Sequence, residues 1–152
     1  MKFFLMLTLI ITSLHALAFP QEGDYARYLA TYKGEVYEYK RHLVEYYPDK
    51  DAYLHVSKLS LNETTLSERW NILSPMWFYT EAKVQNVLNT CMRREGALET
   101  VILNNQRIKA CTFHNEDAQL DYTIGMVPFG QLRFQEYLGN GEFLDFYLVD
   151  FK

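Results

Sequence analysis

The chain has 152 residues, with 19 acidic against 15 basic side chains and a formal net charge of −4. A mildly acidic chain of this size with no basic cluster has no electrostatic footprint for nucleic acid or for an anionic membrane surface. Its length suits one domain with one core.

Met1-Lys2 is a short basic start, and Phe3 to Leu14 is apolar except for Thr8, Thr12 and Ser13. Ala16-Leu17-Ala18 then places small residues at −3 and −1 before Phe19. This is the pattern of a secretory signal peptide cut after Ala18. The apolar run is shorter than the roughly 20 residues of a membrane span. The reading is therefore a signal over residues 1–18 and one exported domain over 19–152, periplasmic or extracellular, with no transmembrane anchor after cleavage.

Tyr25, Tyr28, Leu29 and Tyr32 recur at i, i+3, i+4 and i+7, which favours one or two helical turns stopped by Gly34. A strand is the second reading, because tyrosine and threonine also suit sheets. Glu35 to Tyr46 reads as a strand with Tyr37, Tyr39 and Leu43 on one face and Glu38, Lys40 and His42 on the other. Pro48-Asp49-Lys50-Asp51 supplies a turn, and Ala52 to Leu61 returns as its hairpin partner. Asn62-Glu63-Thr64 is a polar loop and an N-glycosylation sequon, the latter relevant only in a eukaryotic source.

Trp70 to Leu73 reads as a short strand. Ser74-Pro75 then predicts a helix start, with Ser74 as N-cap and Pro75 at the first helical position. Phe78, Ala82, Val84, Val87 and Leu88 carry the helix to about Cys91. Met92-Arg93-Arg94 follows at its C-terminal end, with Gly96 as its stop. Leu98–Leu103 and Ile108–Phe113 form a strand pair around Asn104-Asn105, and Asn115-Glu116-Asp117 is the next turn. Leu120, Tyr122, Ile124 and Met126 alternate with Gln119, Asp121, Thr123 and Gly125. Leu132 and Phe134 then alternate with Gln131, Arg133 and Gln135. Val127-Pro128-Phe129-Gly130 and Leu138-Gly139-Asn140-Gly141 punctuate the last three strands, and Pro128 predicts a bend or bulge. In the final strand Phe143, Tyr147, Val149 and Phe151 occupy one face and Leu144, Phe146 and Leu148 the other. The fold class read from this pattern is α+β: one curved antiparallel sheet, half-barrel-like, with one or two helices packed on one face.

Two cysteines, Cys91 and Cys111, remain in the chain. In an exported protein an even count points to a structural disulfide. The alternatives are a metal site, which needs further ligands beyond His114, and a catalytic thiol. His42 and His55 fall on the two arms of the first hairpin and could face each other, which is the basis of a secreted-hydrolase alternative. No Gly-X-Ser-X-Gly, His-Glu-X-X-His, Cys-X-X-Cys or Gly-rich phosphate motif is present, and no cofactor is implied. Twelve tyrosines and ten phenylalanines suit either sheet packing or a half-open groove or partner surface.

Cys91-Met-Arg-Arg-Glu-Gly96, Leu98-Glu-Thr-Val-Ile102, Lys109-Ala-Cys111, Val127-Pro-Phe-Gly130 and Leu148-Val-Asp-Phe151 together resemble a loose group of bacterial exported proteins. There a strand pair carries E-T-V and G-T-F-x-A-C, followed by V-P-F-G-x-V-K and a closing strand. Here Asn104-Asn105 replaces the usual Gly-containing turn and Leu132-Arg133 stands for Val-Lys. The group is similar to the curved half-barrel of periplasmic lipoprotein and lipid carriers, in which helices cover the concave side. The resemblance implies a bridge from helix end to sheet between Cys91 and Cys111, and it transfers no catalytic residue.

The functional expectation is an exported, non-enzymatic binding protein that holds an apolar or lipid-like ligand, or an envelope protein partner. A purely structural envelope protein is a further alternative to the hydrolase. Met126, Phe129, Phe134, Phe146 and Leu148 are the expected wall of a ligand groove.

Overall fold

The computed structural model describes residues 20–115, 120–139 and 141–152. The expected signal segment lies outside them, as do Glu116 and Asp117 of one expected turn and Asn140 of another. Nine strands form one open antiparallel sheet: β1 (Tyr25–Tyr32), β2 (Glu35–Tyr47), β3 (Ala52–Leu61), β4 (Thr64–Leu73), β5 (Ala97–Leu103), β6 (Gln106–Asn115), β7 (Leu120–Gly125), β8 (Gln131–Gly139) and β9 (Glu142–Phe151). Among the described residues one α-helix, α1 (Glu81–Thr90), lies between β4 and β5.

The spatial order is β4-β3-β2-β1-β9-β8-β7-β6-β5. Two meanders, β1–β4 and β5–β9, thus join where the first strand pairs with the last. β4 and β5 are the two edges. Residues 74–96 must therefore travel from one edge of the sheet to the other, and they cover part of one face as they do so.

The sheet is strongly curved. Strands sit about 4.8 Å apart, so β2 and β8, three places apart, would be roughly 14 Å apart in a flat sheet. Instead the rings of Tyr39 on β2 and Phe134 on β8 lie 5.8 Å apart. Tyr39 also reaches Phe146 at 6.0 Å, and Tyr28 meets Phe134 edge-on at 5.0 Å. These rings and the buried Leu43, Phe129, Leu144 and Leu148 fill much of the concave face. Tyr28 is fully buried, and its hydroxyl donates to the Gln131 carbonyl oxygen at 3.1 Å. Burial raises its pKa well above the usual tyrosine value despite the neighbouring Arg41 charge.

Segment 25–32 is a strand and not a helix. Ala26, Tyr28 and Ala30 alternate inward and are buried, and β1 pairs along its length with β2 and through four positions with β9. Two ladders of backbone bonds outweigh the helical spacing of its tyrosines. The strand read at 70–73 extends over ten residues from Thr64, as an exposed edge.

The helix does not begin at Ser74-Pro75. Pro75–Trp77 makes one 3₁₀ turn, and Phe78 is extended at φ −108°, ψ 157°. Phe78 is inserted beneath the sheet against Tyr53 and Phe129, at 6.2 and 6.0 Å, which breaks the helical run. α1 starts only after Thr80, whose Oγ1 accepts from the Lys83 backbone N–H at 3.3 Å. Val84, Val87 and Leu88 pack it on Phe113 and Ile124 of β6 and β7. A second 3₁₀ turn, Met92–Arg94, follows it, and Glu95 rather than Gly96 takes the left-handed conformation at φ 61°.

Cys91 and Cys111 form a disulfide, Cα–Cα 5.8 Å, tying the end of α1 to β6. Gly96 lies against it: a Cβ there would approach the two sulfurs to 2.6 and 2.9 Å.

The expected irregularity around Pro128 is present. Phe129 and Gly130 both have positive φ, 64° and 70°, and the β7–β8 register shifts beside the turn. A second shift separates Arg27↔Asp150 from Tyr28↔Leu148 between β1 and β9. It carries Phe151 onto the core face, so Phe151 does not share a face with Phe143 and Tyr147 as its spacing suggests. The outward face of β9 is half open: Tyr147 is 50% exposed and lies over the Arg133 guanidinium.

Candidate functional site

The concave face keeps an open groove of about 450 Å³. Small-molecule sites typically span 300–1,000 Å³. One wall comes from β2–β4: Tyr39, Arg41, Ser57, Leu59, Ser67 and Arg69. The other comes from β8 and β9: Gln131, Phe134, Glu136, Leu138, Leu144 and Phe146.

The first wall is set by register. Arg41 pairs with Ser57 and Ser57 with Arg69, so these three lie abreast on adjacent strands. Two residues along, Tyr39 pairs with Leu59 and Leu59 with Ser67. Side chains at i and i+2 share a face, so a polar row is followed about 7 Å further along by a mainly apolar one. On the second wall Gln131 faces Arg41, while Phe134 and Phe146 stack at 5.1 Å behind Tyr39.

Arg41 is fixed from three sides. Its Nε donates to His55 Nε2 at 3.3 Å and its Nη1 to Gln131 Oε1 at 2.9 Å. Its guanidinium carbon lies 4.4 Å from the centre of the Phe129 ring. His55 is 5% exposed and is packed against Phe78 and Phe129. Burial and then the neighbouring Arg41 charge push its pKa down to about 4. Neutral His55 accepts from Arg41 through Nε2, so its proton sits on Nδ1, a buried atom with no hydrogen-bond partner among the described residues. No Asp or Glu carboxylate lies within 4.0 Å of Arg41 or Arg69 among the described residues.

Of the five residues expected to form a ligand-groove wall, Phe134 and Phe146 lie along this hollow. Phe129 is 3% exposed and serves as the support beneath Arg41. Met126 packs in the separate cluster under α1. Leu148 borders another hollow, beside Arg133 and Tyr147. Arg41, Ser57 and Arg69 went unread in the sequence, although a signal existed: Arg41 falls between Tyr39 and Leu43 on the apolar face of its strand.

His42 and His55 do not face each other. His42 pairs with Val56 and His55 with Leu43, so alternation puts the two rings on opposite faces of the sheet. His42 is exposed. Asn62 sits exposed in the β3–β4 turn with positive φ, and its Oδ1 accepts from the Val36 N–H at 3.2 Å. Among the described residues no group of three His, Cys, Asp or Glu could hold a metal ion, and no helix is long and apolar enough to cross a membrane.

A second polar cluster lies on the opposite face of β7–β9. Arg133 pairs with both Asp145 and Asp121, and His114 contacts Asp121. The His114 hydrogen bond, then the Arg133 charge, hold the Asp121 pKa below its usual value despite some desolvation. Its charges are mutually satisfied, in contrast to those in the groove.

No family model matches the chain, and comparison with curated proteins and with solved structures finds no match.

Proposed function

We propose that this is an exported binding protein that holds a small, chain-like apolar ligand in the concave groove. The observation that supports the reading is the groove itself. A sheet curved tightly enough to bring Tyr39 against Phe134 still leaves about 450 Å³ open above an aromatic floor. Burying apolar ligand surface on Leu59, Phe134, Leu144 and Phe146 supplies about 25 cal/mol per Å² before the costs of association. The Cys91–Cys111 bond is compatible with an oxidising, exported setting.

Native mass spectrometry of the purified full chain, followed by solvent extraction, tests the proposal. The expected result is a bound species of a few hundred daltons that is lost on extraction and restored by adding a single-chain amphiphile. A protein that neither carries nor takes up any such molecule contradicts it.

A second reading is docking to an envelope protein. The β4 edge presents Trp70 at 58% exposure and Ile72 at 52%, with Met76 and Trp77 just beyond at 73% and 71%. Large apolar side chains this exposed mark interaction surfaces when they cluster. Cross-linking from Trp77→Cys in the native host separates this reading from the first.

A further inference from the structure

The groove proposed above as the ligand site is not uniformly apolar, and its polarity has a direction. At one end Arg41, Ser57 and Arg69 stand in a row, with Gln131 across from them. In the middle are Tyr39, Leu59, Phe134 and Phe146. At the far end are Leu144, Leu138 and Glu136. Glu136 is five residues along β8 from Gln131, roughly 16 Å away along the strand. The only carboxylate lining the groove among the described residues is thus far from Arg41.

The lining carries two arginines and one glutamate, in a chain whose formal net charge is −4. Among the described residues Arg27 and Lys40 meet Glu38, Lys33 meets Glu142, and Arg133 meets Asp121 and Asp145, while most of the unpaired basic side chains are exposed to water. Arg41 and Arg69 lack such partners among the described residues, although Arg41 is partly buried on an apolar face. Desolvating a guanidinium costs free energy unless an anion or acceptors compensate it. His55 and Gln131 use two of the five N–H donors that a guanidinium offers. They also lock its plane over Phe129, leaving Nη2 without either of these partners. Arg69 and Ser57 add donors abreast of it. An arginine held in this way is preorganised for a planar or tetrahedral oxyanion.

We infer that the ligand is an anionic amphiphile, with its oxyanion head on Arg41, Ser57 and Arg69 and its hydrocarbon tail over Tyr39, Leu59, Phe134 and Phe146. The inference rests on the groove being the ligand site and adds the chemical class of the ligand. His55 is a positioning residue in this arrangement: it accepts from Arg41 Nε and aims the remaining donors at the head.

The test compares amphiphiles of one chain length on the full chain by calorimetry, each below its micelle or solubility limit. The probes are dodecanoate, dodecan-1-ol and dodecyltrimethylammonium, with acetate and inorganic phosphate as tail-less anions. Dodecanoate is expected to bind at least tenfold more tightly than dodecanol, and dodecyltrimethylammonium most weakly. Acetate and phosphate are expected to bind far more weakly than dodecanoate. Arg41→Gln with Arg69→Gln should abolish the preference for dodecanoate over dodecanol. Because Arg41 is packed against Phe129, the exposed Arg69→Gln alone serves as a second variant, with an expected severalfold loss for dodecanoate only. Equal binding of dodecanol and dodecanoate, or a preference surviving both substitutions, overturns the inference but leaves the groove as an apolar site. Phosphate or acetate matching dodecanoate overturns the amphiphile in favour of a free anion. Failure of every dodecyl probe to bind overturns the groove reading itself.

Discussion

Reducing the Cys91–Cys111 bond should lower stability by about 3 kcal/mol. The bond closes a loop of 20 residues between the end of α1 and the middle of β6. In the chain-entropy model, a loop that size restricts the unfolded ensemble by about 11 cal/mol/K, or roughly 3.3 kcal/mol at 25 °C. For a chain of this size that corresponds to a fall of roughly 10 °C in melting temperature. The surroundings favour retention of native geometry after reduction, since both sulfurs are fully buried among Val84, Leu88, Phe113 and Ile124. The assay is thermal denaturation followed by far-ultraviolet circular dichroism, with oxidised and reduced samples of the same protein. Reduced and alkylated unfolded chain provides the thiol count. Melting temperatures within 2 °C of each other, or two free thiols in untreated protein, would refute the reasoning.

Two further outcomes follow from individual side chains. His55 has its pKa pushed to about 4 against an ordinary 6.5, so between those values the unfolded chain binds a proton that the folded chain refuses. Stability therefore falls as pH drops through this window, by about 3 kcal/mol from this residue at pH 4. Denaturant melts of wild type and His55→Asn should diverge in their pH slopes by that amount, because the other titrating groups are common to both; parallel slopes would contradict the burial argument. Gly130→Ala places a Cβ 2.4 Å from Tyr79 Cβ at a residue with φ +70°, whereas Gly141→Ala, at φ +79°, meets nothing within 4 Å. The first should cost about 1–3 kcal/mol more than the second, whose cost is that of the left-handed conformation alone. Equal losses in urea would show that the Val127–Gly130 turn is looser than described.

Much of the sheet was readable from local pattern. The alternation of Leu120, Tyr122 and Ile124, the turns at Pro48 and Asn104-Asn105, and the proline at 128 each act over a few residues, and each marks an observed strand or turn. β1 defeated the pattern because its tyrosines fit two periods. What decided it was pairing with β9, some 120 residues away, which no local window contains. The helix start failed for a similar reason: Ser74-Pro75 is sound local chemistry, but Phe78 is drawn under Tyr53 and Phe129.

The groove was legible only in part. Phe134 and Phe146 lie on apolar faces that alternation displays. Arg41 was hidden because a lone charge among Tyr37, Tyr39 and Leu43 reads as an interruption until register sets it beside Ser57 and Arg69. Curvature is the missing quantity. It brings β2 against β8, and between them the register shifts at β1–β9 and β8–β9, of the kind that bend a sheet, depend on pairing that no local window contains.

The central claim is that ligand sits in the concave groove and not on the outer face. Two-dimensional NMR of isotopically labelled full chain, titrated with dodecanoate, tests this most directly. The account predicts saturable shift changes at Leu59, Ser67, Phe134 and Phe146 and at the Arg41 Nε–H, with Trp70 and Tyr147 unmoved. Shifts confined to Trp70, Ile72 and Trp77, or no saturable shifts at all, would contradict it.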